Sequence, residues 1–218
     1  MTLWVFGHSV CLPYDLGPGE PGWADILAQE LGLQLQNFAQ QAADNFYIYA
    51  SYQENRQYIT DQDFVIVGWS HPSRKSFVLD RQNLNHMAVL DKSLVYKLHT
   101  AELIRSYNSQ PPAFGHWAKL QPSQTGKRFY DTWFADYYSE YEQQLNLQSY
   151  YDSVKSTSAG KYVPFFFSQE SVAGLNLAGA GYILEFIKDN NVAISDSNMH
   201  LNPRGHKLWS KHLKDYIV

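Results

Sequence analysis

Short apolar runs, each stopping at a glycine or a polar cluster, recur along this chain, and stretches of helical periodicity separate them. Residues 3–6 (LWVF) end at Gly7, and residues 63–67 (DFVIV), the clearest buried strand, end at Gly68. Residues 163–167 (VPFFF) give another strand, residues 33–38 a less hydrophobic one, and residues 192–194 a short fifth. A run that is apolar at every position has to be buried on both faces, which points to a parallel sheet covered by helices on each side. The intervening patterns predict those helices at 23–31, at about 44–58 with Asp44 as cap, and at about 84–107, 131–150 and 172–188. Gly32 stops the first, and Pro203 opens a last one that runs to about residue 216;. Strands alternating with helices make an α/β protein whose site belongs at the carboxyl ends of its strands.

At 218 residues the chain suits one domain, 1–218;. The stretch from about 108 to 160 breaks the strand–helix rhythm, opening with Pro111-Pro112 and carrying Phe129-Tyr130 and Trp133-Phe134. It is expected to be an aromatic-rich, partly helical insertion over the sheet edge. The 16 Tyr, 12 Phe and 6 Trp suit stacking on sugars or a protein partner docked through that insertion, although such residues also serve ordinary helix packing;. A net charge of −4 without a basic stripe argues against nucleic acid as a partner;. The lone Cys11 excludes an internal disulfide and a multi-cysteine zinc site, and the eight histidines show no chelating spacing, so neither metal nor cofactor is expected;. Neither a secretory leader pattern nor a long apolar run is visible;. The expectation is therefore a soluble protein, cytoplasmic or virion-associated, with no membrane partner.

The strand ends carry the chemistry. Gly7-His8-Ser9 follows the first strand, so a hydroxyl stands at the sheet's active edge. Between the last strand and the last helix lies Asp196-Ser197-Asn198-Met199-His200-Leu201-Asn202-Pro203-Arg204-Gly205-His206. That segment supplies an imidazole and groups able to orient it. Nucleophilic catalysis requires this set: a hydroxyl in reach of a base, and a third group that fixes the base's tautomer. The two chain ends can meet because their strands share one sheet.

In order and placement these blocks resemble the SGNH (GDSL-like) hydrolase superfamily of esterases, lipases and carbohydrate deacetylases. Gly7-His8-Ser9 stands for the family's Gly-Asp-Ser block, and Asn37-Phe38-Ala39-Gln40-Gln41-Ala42 for its second. Gly68-Trp69-Ser70-His71 matches the third, and His200, Asn202, Gly205 and His206 match the last. A divergent, phage-associated branch with a Gly-Trp-Ser or Gly-Trp-Thr third block and a nearby Arg, here Arg74, is the most similar in pattern. The resemblance implies a flavodoxin-like three-layer sandwich with a parallel five-stranded sheet. It also implies a serine esterase with Ser9 as nucleophile, His200 as base and Asp196 as orienting acid, Asn198 being the alternative orienting group. The backbone N–H groups of Ser9 and Ala42, with the Ser70 hydroxyl, would form the oxyanion hole. His8, Trp69, His71, Arg74 and Asn45 are candidates for binding a small-molecule or saccharide ester, for example an O-acetyl group on a carbohydrate.

The departures from the family pattern are specific. Ala42 replaces a glycine, Ser70 replaces the oxyanion-hole asparagine, and Ser197 stands where the acidic residue is expected, leaving Asp196 one position further back. They support an alternative function: a catalytically degraded domain of this fold serving as a glycan-binding or structural module in a virion. Each residue also has a plainer role open to it. Ser9 can cap a turn, Asp196 can form one, and His71 is held extended by Pro72. Trp69 can pack the sheet edge, Arg74 can pair with a carboxylate, and His206 can anchor the start of the last helix.

Overall fold

The computed structural model describes residues 1–13, 16–17, 19–41, 43–72, 75–78, 95–99, 102–106, 117–119, 139–195 and 198–217. The central sheet is parallel and contains β1 (Thr2–Phe6), β2 (Gln34–Asn37), β3 (Phe64–Trp69) and β8 (Lys161–Phe166), in the order β2-β1-β3-β8. Its helices are α1 (Trp23–Leu31), α2 (Asn45–Asn55), α3 (Glu140–Thr157), α4 (Ile183–Asp189) and α5 (Pro203–Ile217). Period-2 alternation splits each strand between two cores. Leu3, Val5, Ile66, Val163 and Phe165 face α1, α4 and α5, where Trp23, Leu27, Ile183, Ile187, Trp209 and Leu213 close the layer;. Trp4, Phe6, Val65, Val67 and Phe166 face α2 and α3, with Ile48, Tyr52, Leu147, Tyr151 and Val154. The result is the expected three-layer α/β sandwich.

Local signals set several boundaries. Gly32 ends α1 in the left-handed region at φ 65°, a conformation that costs glycine little;. Asp44 caps α2 by accepting the Tyr47 N–H at 2.8 Å, and the predicted tail of that helix tightens into a 3-10 turn over Arg56–Tyr58;. At the opposite edge of the sheet from the strand ends, Asp63 accepts the Thr2 N–H at 2.7 Å and the Thr60 N–H at 2.9 Å. Burial opposes its charge, but these donors together with the Thr60 hydroxyl and the Trp4 indole outweigh it, and its carboxyl sits below the ordinary value;.

Three expectations need correction. Residues 192–194 do not extend the parallel sheet. β9 (Ala193–Ser195) pairs antiparallel with β10 (Asn198–Leu201), leaving four parallel strands among the described residues rather than five. Ile194 and Ser195 are exposed, so the segment lacks the two-sided apolar character an inner parallel strand requires;. The helix expected over 84–107 is also not found where it can be tested. β5 (Val95–His99) and β6 (Glu102–Ser106) form a hairpin, flanked by β4 (Lys75–Val78) and β7 (Trp117–Lys119) in a second, antiparallel sheet. Val95, Tyr96, Leu98, Leu103 and Ile104 have the β-branched, aromatic and period-2 character of strands, which a helical count across the turn obscured;. Residues 84–94 lie outside the described residues. Finally, the helix expected over 172–188 begins only at Ile183, because Gly174 (φ 82°) and Gly181 (φ 130°) interrupt it;.

The helix expected over 131–150 is seen as α3, nine residues later in its start, with Ser139 accepting the Glu142 N–H at its N-terminus. Residues 131–138, and most of the aromatic run, lie outside the described residues. Among the described residues no helix is long and apolar enough to cross a membrane.

Candidate active site

Ser9 opens a 3-10 turn (Ser9–Cys11) directly past β1, at the carboxyl edge of the sheet. Several hydrogen bonds fix this turn. The Leu12 N–H donates to Ser9 O at 3.1 Å, the Trp23 indole to Val10 O at 2.8 Å, and the Asn37 amide to Cys11 O at 2.8 Å. The chain runs so close to β3 here that a Cβ on Gly68 would fall 2.7 Å from Cys11 Sγ and 2.5 Å from the Phe165 ring. Cys11 thus plugs the gap beneath the site, and burial raises its thiol far above any range in which it could act as a thiolate;.

The second block lies alongside. Gln40 donates its N–H to Gly7 O at 3.0 Å, Ala39 donates to the Asn37 side chain at 3.0 Å, and Ala43 closes the loop onto Gln40 O at 3.1 Å. Ala42 itself lies outside the described residues.

The third block is anchored by a residue expected to touch substrate. The Asn45 side chain accepts the Ser70 N–H at 2.8 Å and donates to Ser70 O at 3.0 Å. This two-point clamp fixes the backbone at the end of β3 and commits both ends of the Asn45 amide. It also occupies the Ser70 N–H, which is therefore not the group that Ser70 would offer an oxyanion. Trp69 is fully buried with its indole N–H given to the Tyr162 hydroxyl at 3.1 Å, so it supports the site from below. His71 is half-buried and His8 fully buried, and each ring lies against Phe167. Arg74 lies outside the described residues.

The last block explains itself residue by residue. Asn202 accepts the Gly205 N–H at 2.8 Å and so caps α5, while Pro203 takes the first helical position;. Gly205 packs against Leu201 and Val192, where a Cβ would sit 2.9 Å from each side chain. His200 stands on β10, which runs beside the Ser9 turn. Its Nδ1 is 2.7 Å from Asn198 Oδ1, and its backbone N–H donates to that same atom at 3.1 Å. A backbone N–H can only donate, so the shared atom is the amide oxygen. Nδ1 must then carry the ring proton, and Nε2 is the basic nitrogen. Asp196 lies outside the described residues, and Asn198, the alternative on sequence grounds, occupies the Nδ1 side of the ring.

His206 performs the anchoring task open to it. Its Nδ1 accepts the Trp23 N–H at 3.0 Å, satisfying an otherwise orphaned donor in the first turn of α1;. The ring is 2% exposed, and burial first, then the neighbouring His200, lower its pKa to about 4. Between about pH 6.5 and 4 the unfolded chain therefore takes up a proton that the folded chain refuses. Stability should fall as the pH drops through that window, by up to about 3 kcal/mol. Urea unfolding across this range should show a flatter acid limb for His206→Gln than for the wild type. Identical slopes would remove His206 as the source.

Sequence reasoning missed two features of this edge. The Asn45 clamp depends on a pairing 25 residues apart that no spacing announces. Phe167 was read only as the end of a buried strand, although the last residue of such a strand necessarily reaches the site edge. Among the described residues no group of His, Cys, Asp and Glu could hold a metal ion.

No family model and no curated protein sequence matches the chain. Solved structures do. A putative lipolytic protein of the G-D-S-L family from Desulfitobacterium hafniense DCB-2 superposes with a TM-score of 0.51 at 10% identity, covering 98% of this chain and 98% of that one. The psychrotrophic esterase EstA from Pseudoalteromonas sp., in a structure inhibited by monoethylphosphonate, gives 0.50 at 10% identity over 99% of this chain and 96% of that one. At such identity the likeness is one of fold.

Proposed function

We propose, from the premise that this chain carries the SGNH (GDSL-like) hydrolase fold, that it is a serine esterase. His200 Nε2 takes the proton of the Ser9 hydroxyl as Ser9 Oγ attacks the ester carbonyl carbon. The resulting oxyanion is held by the N–H groups of Ser9 and Ala42, with the Ser70 hydroxyl as a third donor. His200 returns the proton to the departing alcohol, leaving an acyl-serine. Water then attacks the acyl carbon as His200 accepts its proton; His200 passes that proton to Ser9 Oγ as the acyl–serine bond breaks, and the acid is released. Asn198 holds Nδ1–H throughout. An amide oxygen does this without a charge, as in the Cys-His-Asn arrangement, and Asp196 remains the rival for the task. The observation that supports the reading is the Asn198–His200 pair on β10, a strand running beside the Ser9 turn, whose Nδ1 contact to the Asn198 amide oxygen leaves Nε2 as the ring's basic nitrogen.

A saccharide ester is the finer proposal for the substrate. Next to the Asn45–Ser70 clamp lies a shallow depression lined by Asp44, Phe46, Pro72, Gln143, Asn146 and Tyr150. Phe46 is 43% exposed, and Tyr150 stacks on Tyr49 at 4.8 Å. Aromatic faces mixed with amides and a carboxylate suit a sugar's C–H faces and hydroxyls. The same depression, with Ser70 in the oxyanion block, favours the second reading of a glycan-binding or structural module without turnover.

A phosphonate ester probe separates the two. EstA is described in a phosphonate-inhibited form, and an ethylphosphonate fluorophore is expected to modify this protein once, on the peptide containing Ser9. Labelling of a different residue, or none at neutral pH, would count against the esterase.

A further inference from the structure

Phe167 follows β8 at the carboxyl edge of the sheet. The register pairs Trp69 with Phe166, so Ser70 and Phe167 are the next residues outward on neighbouring strands. Alternation then turns Phe167 to the same face as Phe165, while Phe166 packs in the opposite core;. Its ring centroid lies 5.7 Å from that of His8 and 5.9 Å from that of His71, the latter edge-on at 83°. Those two histidines are the chain neighbours of Ser9 and Ser70. The ring is half-buried: it packs against the core on the Phe165 side and touches the histidine next to each of the two serines.

The backbone that carries this ring is held on both sides. The Leu184 N–H donates to Phe167 O at 2.9 Å. The following turn is closed by Ser168 and Ser171: each N–H donates to the other's hydroxyl, at 3.3 and 3.2 Å, and the Ser171 hydroxyl donates to Ser168 O at 2.6 Å. These bonds fix the backbone from which the ring projects, so only rotation of the side chain itself can move it.

We infer that Phe167 is a specificity-determining residue that favours short acyl groups over long ones. The inference rests on the esterase reading and adds to it the side of the ester on which selection acts. The test is the ratio of kcat/KM for p-nitrophenyl acetate to that for the butanoate and hexanoate, measured for wild type, Phe167→Ala and Phe167→Leu. The wild type should prefer acetate. Phe167→Ala should shift the ratio toward the longer esters by about tenfold or more, on the scale of one or two methylenes in a pocket. Phe167→Leu, which keeps most of the core packing, should shift it in the same direction by less, and it carries the test if the alanine variant does not fold. An unchanged chain-length profile, or a wild type that prefers hexanoate, would overturn the inference and leave the esterase intact. Absence of Ser9-dependent turnover of any ester in the wild type would remove the esterase and this inference with it.

Discussion

Ser9→Ala is expected to reduce hydrolysis of p-nitrophenyl acetate by about 10⁴-fold or more, with the melting temperature nearly unchanged. The magnitude follows from what is lost. Without the hydroxyl there is no acyl-serine, and only the oxyanion donors and binding remain to accelerate direct attack by water. The stability expectation follows from the site's construction. The Ser9 turn is tied down by backbone groups of Ser9, Val10 and Cys11, and none of the bonds from Leu12, Trp23 and Asn37 uses the Ser9 side chain. Retention of more than about a tenth of the wild-type rate, an effect far smaller than removal of a nucleophile produces, would show that Ser9 is not the nucleophile.

Asn198→Ala should lower kcat/KM by about 10²-fold or more, since an unanchored imidazole samples the wrong tautomer and orientation. Asn198→Asp is the informative partner variant. A carboxylate at the same place can still accept from Nδ1, so activity should largely return. The added negative charge beside His200 should raise the pKa of the base and move the acid limb of the pH–rate profile upward. A residue with a merely structural role in β10 would not shift that limb. Asp196→Ala belongs in the same series. If it costs more than Asn198→Ala, the orienting role passes to Asp196 and the amide becomes a loop support.

Much of this architecture was legible in residue order. The runs at 3–6, 63–67 and 163–167 identified three of the four parallel strands, because a strand buried on both faces leaves a continuous apolar signature;. Helix α1 and the start of α5 were also legible, through Gly32, Pro203 and the caps. The misassigned stretch near residues 95–106 shows where such reading ends. A hairpin of alternating residues and a helix of similar hydrophobicity differ in period alone, and the phase changes between the two paired strands;. The same limit applies to β9, whose partner was decided by the hairpin it could form with β10.

At the site, the sequence determined the kinds of chemical group available and their order: a hydroxyl after the first strand, and an imidazole with an amide two residues before it near the last helix. It could not assign His200 its basic nitrogen or foresee that Asn45 would be committed to Ser70. Hydrogen-bond partners separated by 25 residues, or by 183 for Trp23 and His206, are selected by the packing of whole layers. Local propensity and periodicity act over a few residues and are therefore written in the chain. The direction of a lone pair depends on which surfaces exclude water together, and only the folded sheet with its two helical layers decides that.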